Sequence, residues 1–223
     1  MIQGNPHPGF GTQASLDHEK NGALGDVTSL RGMSGQLSFF TAGELPPAVD
    51  DLEGLLAGPG QLVRRGAEVR IGVIVGEPWR AAVLLAAFDE RGLAGEQATT
   101  HDGAPVVRTS FSTALAAVAG RWTRGARILP PAGLTLDGPR LRLWAVAAGR
   151  ADPYGYALEL GGADDGAWTS VGSALHDAGV PGTLIGPRAG GPAYRITGSR
   201  RLARLRELVG DPPAGASAGD WPG

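Results

Sequence analysis

One order of secondary-structure elements occurs twice along this chain of 223 residues, and the duplication constrains the fold more than any other feature. Hydrophobic periodicity and turn residues define the first copy. Its predicted elements are a helix at residues 48–58, a hairpin at 61–75 that turns at Gly66 and Ala67, a helix at 78–92, a hairpin at 96–111 and a helix at 112–124.

The second copy repeats this order after a linker at residues 128–138. Its predicted elements are a helix at 141–148, a strand at 156–160, a helix from Asp164 or Asp165 to 178, strands at 183–185 and 193–197, and a helix at 199–209 with Ser199 as its cap. The second half therefore repeats the order of the first half, with one recognisable strand at the place of the first hairpin.

Individual positions of the two halves also match. Trp79 corresponds to Trp168, and Arg108 corresponds to Arg195. The distance from the glycine after the first helix to the serine before the last helix differs by only two residues between the halves. The sequence therefore predicts an α+β fold of two tandem αββαββα repeats, at residues 46–127 and 139–210.

The segments that flank the repeats lack periodicity. Residues 1–45 are rich in Gly, Asn, Ser and Thr, and we expect a flexible leader, with Met1 and Met33 both open as the start. Residues 211–223 are rich in Pro, Gly and Ala, and we expect a disordered tail.

The first helix of each repeat carries a family resemblance. Residues 52–60 read LEGLLAGPG and residues 141–149 read LRLWAVAAG. This pattern, in an αββαββα unit, resembles the LAGLIDADG homing endonucleases. The second unit, with Asp-Pro at 152–153 and GYALEL at 155–160, is similar to the LAGLIDADG-like domain of the WhiA sporulation regulators. The resemblance implies two motif helices side by side at a pseudo-twofold axis, two sheets forming a saddle over DNA, and a monomer.

The same resemblance implies that the chain does not cut DNA. In the family, one acidic residue just before the last glycine of each motif holds the divalent cations that activate water. Those positions are Pro59 and Ala148 here, and neither side chain has an oxygen to bind a hard cation. Asp152 could supply only one carboxylate. We therefore expect no enzyme activity, no metal and no cofactor.

A short segment of the leader resembles the pentapeptide by which bacterial proteins bind the replicative sliding clamp. It consists of Gln36, Leu37, Ser38, Phe39 and Phe40, with Phe39 where the family has leucine. A Gln amide followed by large apolar groups suits a linear motif that fills an apolar pocket. The alternative is that Leu37, Phe39 and Phe40 pack against the domain as an N-terminal arm or edge strand.

Four arginines are candidates for phosphate contacts. If the first hairpin pairs Arg65 with Glu68, strand alternation puts Arg65 and Arg70 on the face away from the helices. The same alternation puts Arg108 and Arg195 on the outer faces of their sheets. An ordinary solvated sheet face explains these residues as well. A further arginine cluster, on the last predicted helix, is typical of a solvated helix face.

The composition leaves three hypotheses about function. The formal net charge is −2, so the whole chain does not have the basic character of many DNA-binding proteins. There is no cysteine, and no apolar run or signal pattern predicts a membrane span or export. We expect a cytoplasmic, nucleoid-associated DNA-binding or adaptor protein. The alternatives are a protein-interaction scaffold or a transcriptional regulator without clamp binding, and a metal-dependent nuclease with unrecognised ligands.

Overall fold

The computed structural model describes residues 46–162, 165–189 and 191–223, which belong to one compact unit. The candidate clamp motif, Gln36 to Phe40, lies outside the described residues. Its role therefore stays a prediction from the sequence.

The first repeat has the predicted order of elements. A 3₁₀ turn at Val49–Leu52 leads into helix α1. The elements that follow are α1 (Glu53–Ala57), β1 (Gln61–Arg65), β2 (Glu68–Ile74), α2 (Pro78–Asp89), β3 (Gly95–Thr99), β4 (Pro105–Thr109) and α3 (Ala116–Trp122). The side chain of Ser112 accepts a hydrogen bond from the backbone N–H of Ala114, as expected of a helix cap.

The second repeat follows a small ladder of β5 (Thr123–Arg124) and β6 (Arg127–Ile128). Its elements are α4 (Gly138–Ala148), β7 (Gly149–Asp152), β8 (Gly155–Glu159), α5 (Asp165–Asp177), β9 (Thr183–Ile185), β10 (Ala193–Ile196) and α6 (Ser199–Val209). The longest helix of the described chain is α5, with 13 residues, and none of the described helices has the length and apolar character needed to cross a membrane.

The two repeats build sheets of the same topology. The strand order is β1-β2-β4-β3 in the first sheet and β7-β8-β10-β9 in the second, and every neighbouring pair is antiparallel. The predicted α+β fold with two αββαββα repeats is therefore confirmed.

The register of the first hairpin is the one that the turn predicts. Arg65 pairs with Glu68 across the turn, and Gly66 has the positive φ of 62° that favours glycine. The strand residues that face the helices are fully or almost fully buried; they are Val69, Ile71, Val73 and Val75. Since the side-chain period of a strand is two residues, the intervening residues lie on the outer face.

Helices α1 and α4 pack against each other at very short range. A Cβ atom built on Gly54 would lie 2.0 Å from the backbone oxygen of Arg140, and one on Gly58 would lie 2.6 Å from the ring of Trp144. Two glycines one helical turn apart thus let the backbone of α1 touch α4. The expected contact between the two motif helices is present.

A buried carboxylate reinforces this helix pair. The side chain of Glu53 is 6% exposed and accepts hydrogen bonds from Arg121 of α3, at 2.8 Å, and from Arg140 of α4, at 3.1 Å. A buried charge costs stability unless it is paired, and both oxygens of Glu53 have a cationic partner. Three helices from both repeats therefore meet at one side chain.

Three local predictions were wrong. Strand β7 was not predicted, because it has only four residues and no alternation that marks a strand. The cap of α6 is Gly198, with a φ of 88°, and Ser199 is the first helical residue. Residues 211–223 are not a disordered tail, because they pack onto the domain.

The packing of this C-terminal segment depends on Trp221. Its side chain is buried in the core, its indole N–H donates to the backbone oxygen of Gly210, and the guanidinium of Arg142 lies 5.3 Å from its ring centroid. The backbone oxygen of Gly219 also accepts a hydrogen bond from Ala151 in β7. Burial of this one large aromatic side chain holds the segment on the domain, although the Pro- and Gly-rich composition around it predicts disorder.

We predict that Gly54→Ala lowers the free energy of unfolding by about 1–3 kcal/mol or more, because the new methyl group must displace the backbone of α4. The matched control is Gly120→Ala in α3, where a Cβ meets nothing within 4 Å. That change should be neutral or stabilise by up to about 1 kcal/mol. Urea denaturation measures both variants, and equal stability of the two would contradict the close helix contact.

Candidate nucleic-acid interface

The outer faces of the two sheets carry arginines at equivalent positions. Arg108 of β4 pairs with Gly72 of β2, and Arg195 of β10 pairs with Ala157 of β8. Their strand neighbours, such as Val107 and Ile196, point into the core and are fully buried. In both repeats, an arginine therefore lies beside a small residue on the face away from the helices.

Three of the four predicted arginines are held by carboxylates. Arg65 lies 2.8 Å from Glu68 across its hairpin, and Arg108 lies 2.7 Å from Glu96 of the neighbouring strand. Arg195 forms two contacts with Asp152, at 2.7 and 2.9 Å. A phosphate that approached these arginines would have to compete with the carboxylates that hold them.

Arg70 differs from the other three candidates. Its guanidinium lies 4.8 Å from the ring centroid of Phe111, where Arg65 also stacks at 4.1 Å. Within the described ranges, Arg70 has no ion pair with a carboxylate. Because cation–π contact leaves the edge N–H groups of a guanidinium available, Arg70 has the strongest claim to a phosphate contact on the first sheet.

Asp152 organises the outer face of the second sheet. Its side chain is only 3% exposed, and it accepts a hydrogen bond of 3.0 Å from the backbone N–H of Tyr154 as well as those of Arg195. Burial alone would raise the pKa of Asp152. The N–H of Tyr154 and the guanidinium of Arg195 outweigh burial, and the pKa of this carboxyl is lowered.

The ends of the two motif helices carry no acidic side chain. Helix α4 ends at Ala148, as the sequence motif predicts, whereas α1 ends at Ala57 and Gly58 follows it. Pro59 thus lies beyond the helix, and Ala57 is the last residue of α1 as Ala148 is the last residue of α4. None of these side chains has an oxygen.

The buried side chain of Arg80, from α2, contacts the C-terminal end of α4. The guanidinium of Arg80 donates to the backbone oxygens of Val146 and Gly149, each at 2.7 Å, and its Nε donates to Glu77 at 2.6 Å. It also lies 3.6 Å from the carboxylate of Asp220. The carbonyl groups that a helix end leaves without partners are thus satisfied by a cation of the chain itself.

The hydroxyl of Tyr156 lies next to Arg80 and Asp220 in the same buried cluster. It donates to the backbone oxygen of Asp220 at 2.8 Å, and burial raises the pKa of Tyr156. A Cβ atom on Gly149 would lie 2.1 Å from the same hydroxyl oxygen, so the motif glycine leaves room for the tyrosine. Across the described residues, no three histidine, aspartate or glutamate side chains are grouped as a metal site would require.

Sequence reasoning placed the four arginines on the outer faces but missed Arg80 and Glu53. The spacing of α2 marks Arg80 only as a residue near a helix start. A single signal was available for Glu53: it is an acidic residue inside an otherwise apolar motif. Its partners, Arg121 and Arg140, are distant in the sequence.

The fold and the motif helices together define a LAGLIDADG-type architecture. The solved structure of the homing endonuclease I-WcaI bound to its DNA recognition sequence matches the chain with a TM-score of 0.56 and 13% identity, over 72% of this chain and 79% of that one. The N-terminal LAGLIDADG domain of DUF199/WhiA matches with a TM-score of 0.49 and 14% identity, over 73% and 82%. No protein-family model and no curated protein matches the chain.

We predict that Asp152→Asn lowers the free energy of unfolding at pH 7 by about 1–3 kcal/mol, since it removes the partner of Arg195. The folded pKa of Asp152 lies below its unfolded value of about 3.9, so its contribution is complete above that pH and is lost as the pH falls through the folded pKa. The gap between wild type and variant should therefore narrow below about pH 4.

The matched control for this prediction is Glu68→Gln, because Glu68 pairs with Arg65 on an exposed hairpin. Its effect at pH 7 should be at most about 1 kcal/mol. Urea denaturation at pH 7 and pH 3 measures all three proteins. A gap between wild type and Asp152→Asn that stays constant with pH would contradict the assignment.

Proposed function

We propose that this chain is a non-catalytic DNA-associated binding or adaptor protein of the nucleoid, recruited to the replicative sliding clamp through its leader. The observation that carries the DNA part is the LAGLIDADG-type fold with arginines at equivalent positions on both outer sheet faces. I-WcaI, which has this fold, was solved bound to its DNA recognition sequence.

The arginines suggest how such contact would be made. Phosphate contacts on a sheet face position a protein on DNA without reading its sequence. Arg70 is available for such a contact, whereas Arg65, Arg108 and Arg195 would exchange a carboxylate for a phosphate. Binding of this kind is moderate in strength and depends on salt, as suits an adaptor.

The ends of the motif helices support the non-catalytic part. Pro59 and Ala148 cannot bind a divalent cation, and Arg80 donates to the carbonyl groups that end α4. Those carbonyl oxygens already have a cationic partner, and the nearby carboxylates of Glu77 and Asp220 already pair with the same guanidinium. These features favour DNA binding without metal-dependent hydrolysis.

The clamp part rests on the motif of Gln36, Leu37, Ser38, Phe39 and Phe40. A linear motif presents its Gln amide and its apolar side chains to a groove on the partner. Recruitment by such a leader would bring the LAGLIDADG-like domain to DNA during replication or repair, and would compensate for moderate DNA affinity by raising the local concentration.

A second candidate function is a protein-interaction scaffold or a transcriptional regulator without clamp binding. The ion pairs favour it, because they leave the outer faces of the sheets close to neutral, and the net charge of the chain is −2. Salt dependence separates the candidates, since only phosphate contacts release counterions.

We predict that the protein binds duplex DNA at low salt and that Arg70→Gln reduces the slope of log affinity against log salt by about 0.9, the value of one phosphate contact. The matched control is Arg64→Gln. Arg64 pairs with the core-facing Val69 and contacts Thr123, so it lies off the outer face. Fluorescence anisotropy with a labelled duplex measures both variants.

Equal slopes for wild type, Arg70→Gln and Arg64→Gln would rule out this use of the first sheet. Absence of duplex binding at low salt would favour the scaffold. The same protein should leave supercoiled plasmid intact in magnesium or manganese. Metal-dependent nicking that disappears in Asp152→Asn would overturn the non-catalytic part.

We also predict that the full chain binds a bacterial sliding clamp with micromolar affinity and that Gln36→Ala or Phe39→Ala/Phe40→Ala abolishes binding, because the motif loses its polar anchor or its apolar groups. Calorimetry with purified clamp measures the affinity. Leu30→Ala, outside the motif, serves as the control. If the wild type does not bind, Phe39 and Phe40 are better explained as a packing arm.

A further inference from the structure

One rim of the second sheet combines the β7–β8 turn, the end of β10 and the start of α6. A Cβ atom on Gly155, next to the turn, would lie 2.1 Å from the backbone oxygen of Ile196 and 3.3 Å from the Cα atom of Thr197. The hairpin tip therefore touches the segment that leads into α6. Side chains from three separate elements share this rim.

Tyr154 stands at the tip of the hairpin and is 71% exposed. The guanidinium of Arg195 lies 5.0 Å from its ring centroid. The buried carboxylate of Asp152 holds both, by accepting from the backbone N–H of Tyr154 and from Arg195. An aromatic ring on a fixed backbone, with a cation beside it, is thus presented to solvent.

Arg200 and Arg201 follow Thr197, the residue that the hairpin tip approaches. Both are exposed, and neither has an ion pair within the part of the chain that the structure describes. They border an open cleft of about 790 Å³, whose lining also includes Thr197. Since Arg200 follows Thr197 by three residues, the two Cα atoms are at most about 10 Å apart.

These cations differ from the three outer-face arginines that are paired with carboxylates. Arg65, Arg108 and Arg195 each have a carboxylate within 2.8 Å, whereas Arg200 and Arg201 present their full charge to solvent. On the second sheet, favourable electrostatics for an anion therefore lie at the rim rather than in the middle of the sheet. The exposed ring of Tyr154 stands on the hairpin whose tip approaches Thr197, three residues before Arg200.

We propose that this rim binds nucleic acid with unpaired bases: one base stacks on Tyr154, and phosphates of the same strand contact Arg200 and Arg201. This inference rests on the proposed DNA-associated function and names its preferred substrate class. A base in a duplex is stacked on both faces, so only an unpaired base offers a face to an exposed side chain. Stacking on an aromatic residue is tolerant of sequence, because every base has a π-face.

An acidic peptide is the competing class of partner. It would satisfy Arg200 and Arg201 but would make no use of the planar ring of Tyr154. The ring, the neighbouring guanidinium and the two unpaired cations together match the combination of stacking and charge that single-stranded nucleic acid requires. The observations therefore favour nucleic acid.

The test is fluorescence anisotropy of the full chain with a labelled 20-nucleotide oligo(dT) and with a duplex of equal length. We expect tighter binding of oligo(dT). Tyr154→Ala should weaken that binding about 5- to 150-fold, which corresponds to about 1–3 kcal/mol for one stacked base, and should leave duplex binding unchanged. Tyr154→Phe should retain wild-type affinity, because it keeps the ring.

The arginines are tested through salt. Arg200→Gln/Arg201→Gln should reduce the salt slope for oligo(dT) by about 1.4, since each phosphate contact on a single strand contributes about 0.7. The matched control is Arg124→Gln/Arg206→Gln, which removes two exposed charges away from the cleft lining. It should leave the slope unchanged.

The outcomes separate this inference from the function on which it rests. Duplex binding with no effect of Tyr154→Ala on oligo(dT) would overturn the rim site and leave the DNA-associated function standing. No binding to either nucleic acid at low salt would overturn both. Displacement of oligo(dT) by poly-glutamate at equal charge concentration would show that the rim reads charge alone and would overturn the role of stacking.

Discussion

The contact between α1 and α4 is the interaction on which the rest of this molecule depends. Gly54 and Gly58 bring the backbone of α1 against Arg140 and Trp144, so the two repeats meet at a distance that no larger side chain permits. The strands of each repeat follow directly from the ends of these helices. The absence of a side chain at Gly54 and Gly58 therefore sets the spacing of the two sheets, and hence the spacing of the arginines on them.

Most of the fold could be predicted from the sequence because its signals are local. Turn residues such as Gly66, and the alternation from Val69 to Val75, define strands within a few residues. Because the sequence is duplicated, an element that is predicted in one half is also expected in the other half. Strand β7 and the docking of Trp221 were missed for the opposite reason. Their partners, β8 and the core around Gly210, are what give these short segments their structure.

For the candidate site, too, the local features could be predicted from the sequence and the long-range contacts could not. Alternation alone predicts that Arg65, Arg70, Arg108 and Arg195 share the outer faces. Their partners depend on cross-strand register, as with Glu96 beside Arg108, or on a neighbouring hairpin, as with Asp152 beside Arg195. A count of charges therefore overstates the attraction of these faces for phosphate, and only the register separates a neutralised arginine from one that keeps its charge.

The helix contact also explains why this chain needs two unlike halves. Trp144 of α4 fills the space that Gly58 of α1 leaves, so one helix acts as a knob and the other as a socket. In the alignment of residues 52–60 with 141–149, Leu55 corresponds to Trp144 and Gly58 corresponds to Ala147. Two copies of the first helix would therefore set a smaller leucine against Gly58, and two copies of the second would set the indole against a methyl group. Neither helix would meet a second copy of itself with the fit that α1 and α4 have. The two motif helices are therefore not interchangeable at this contact.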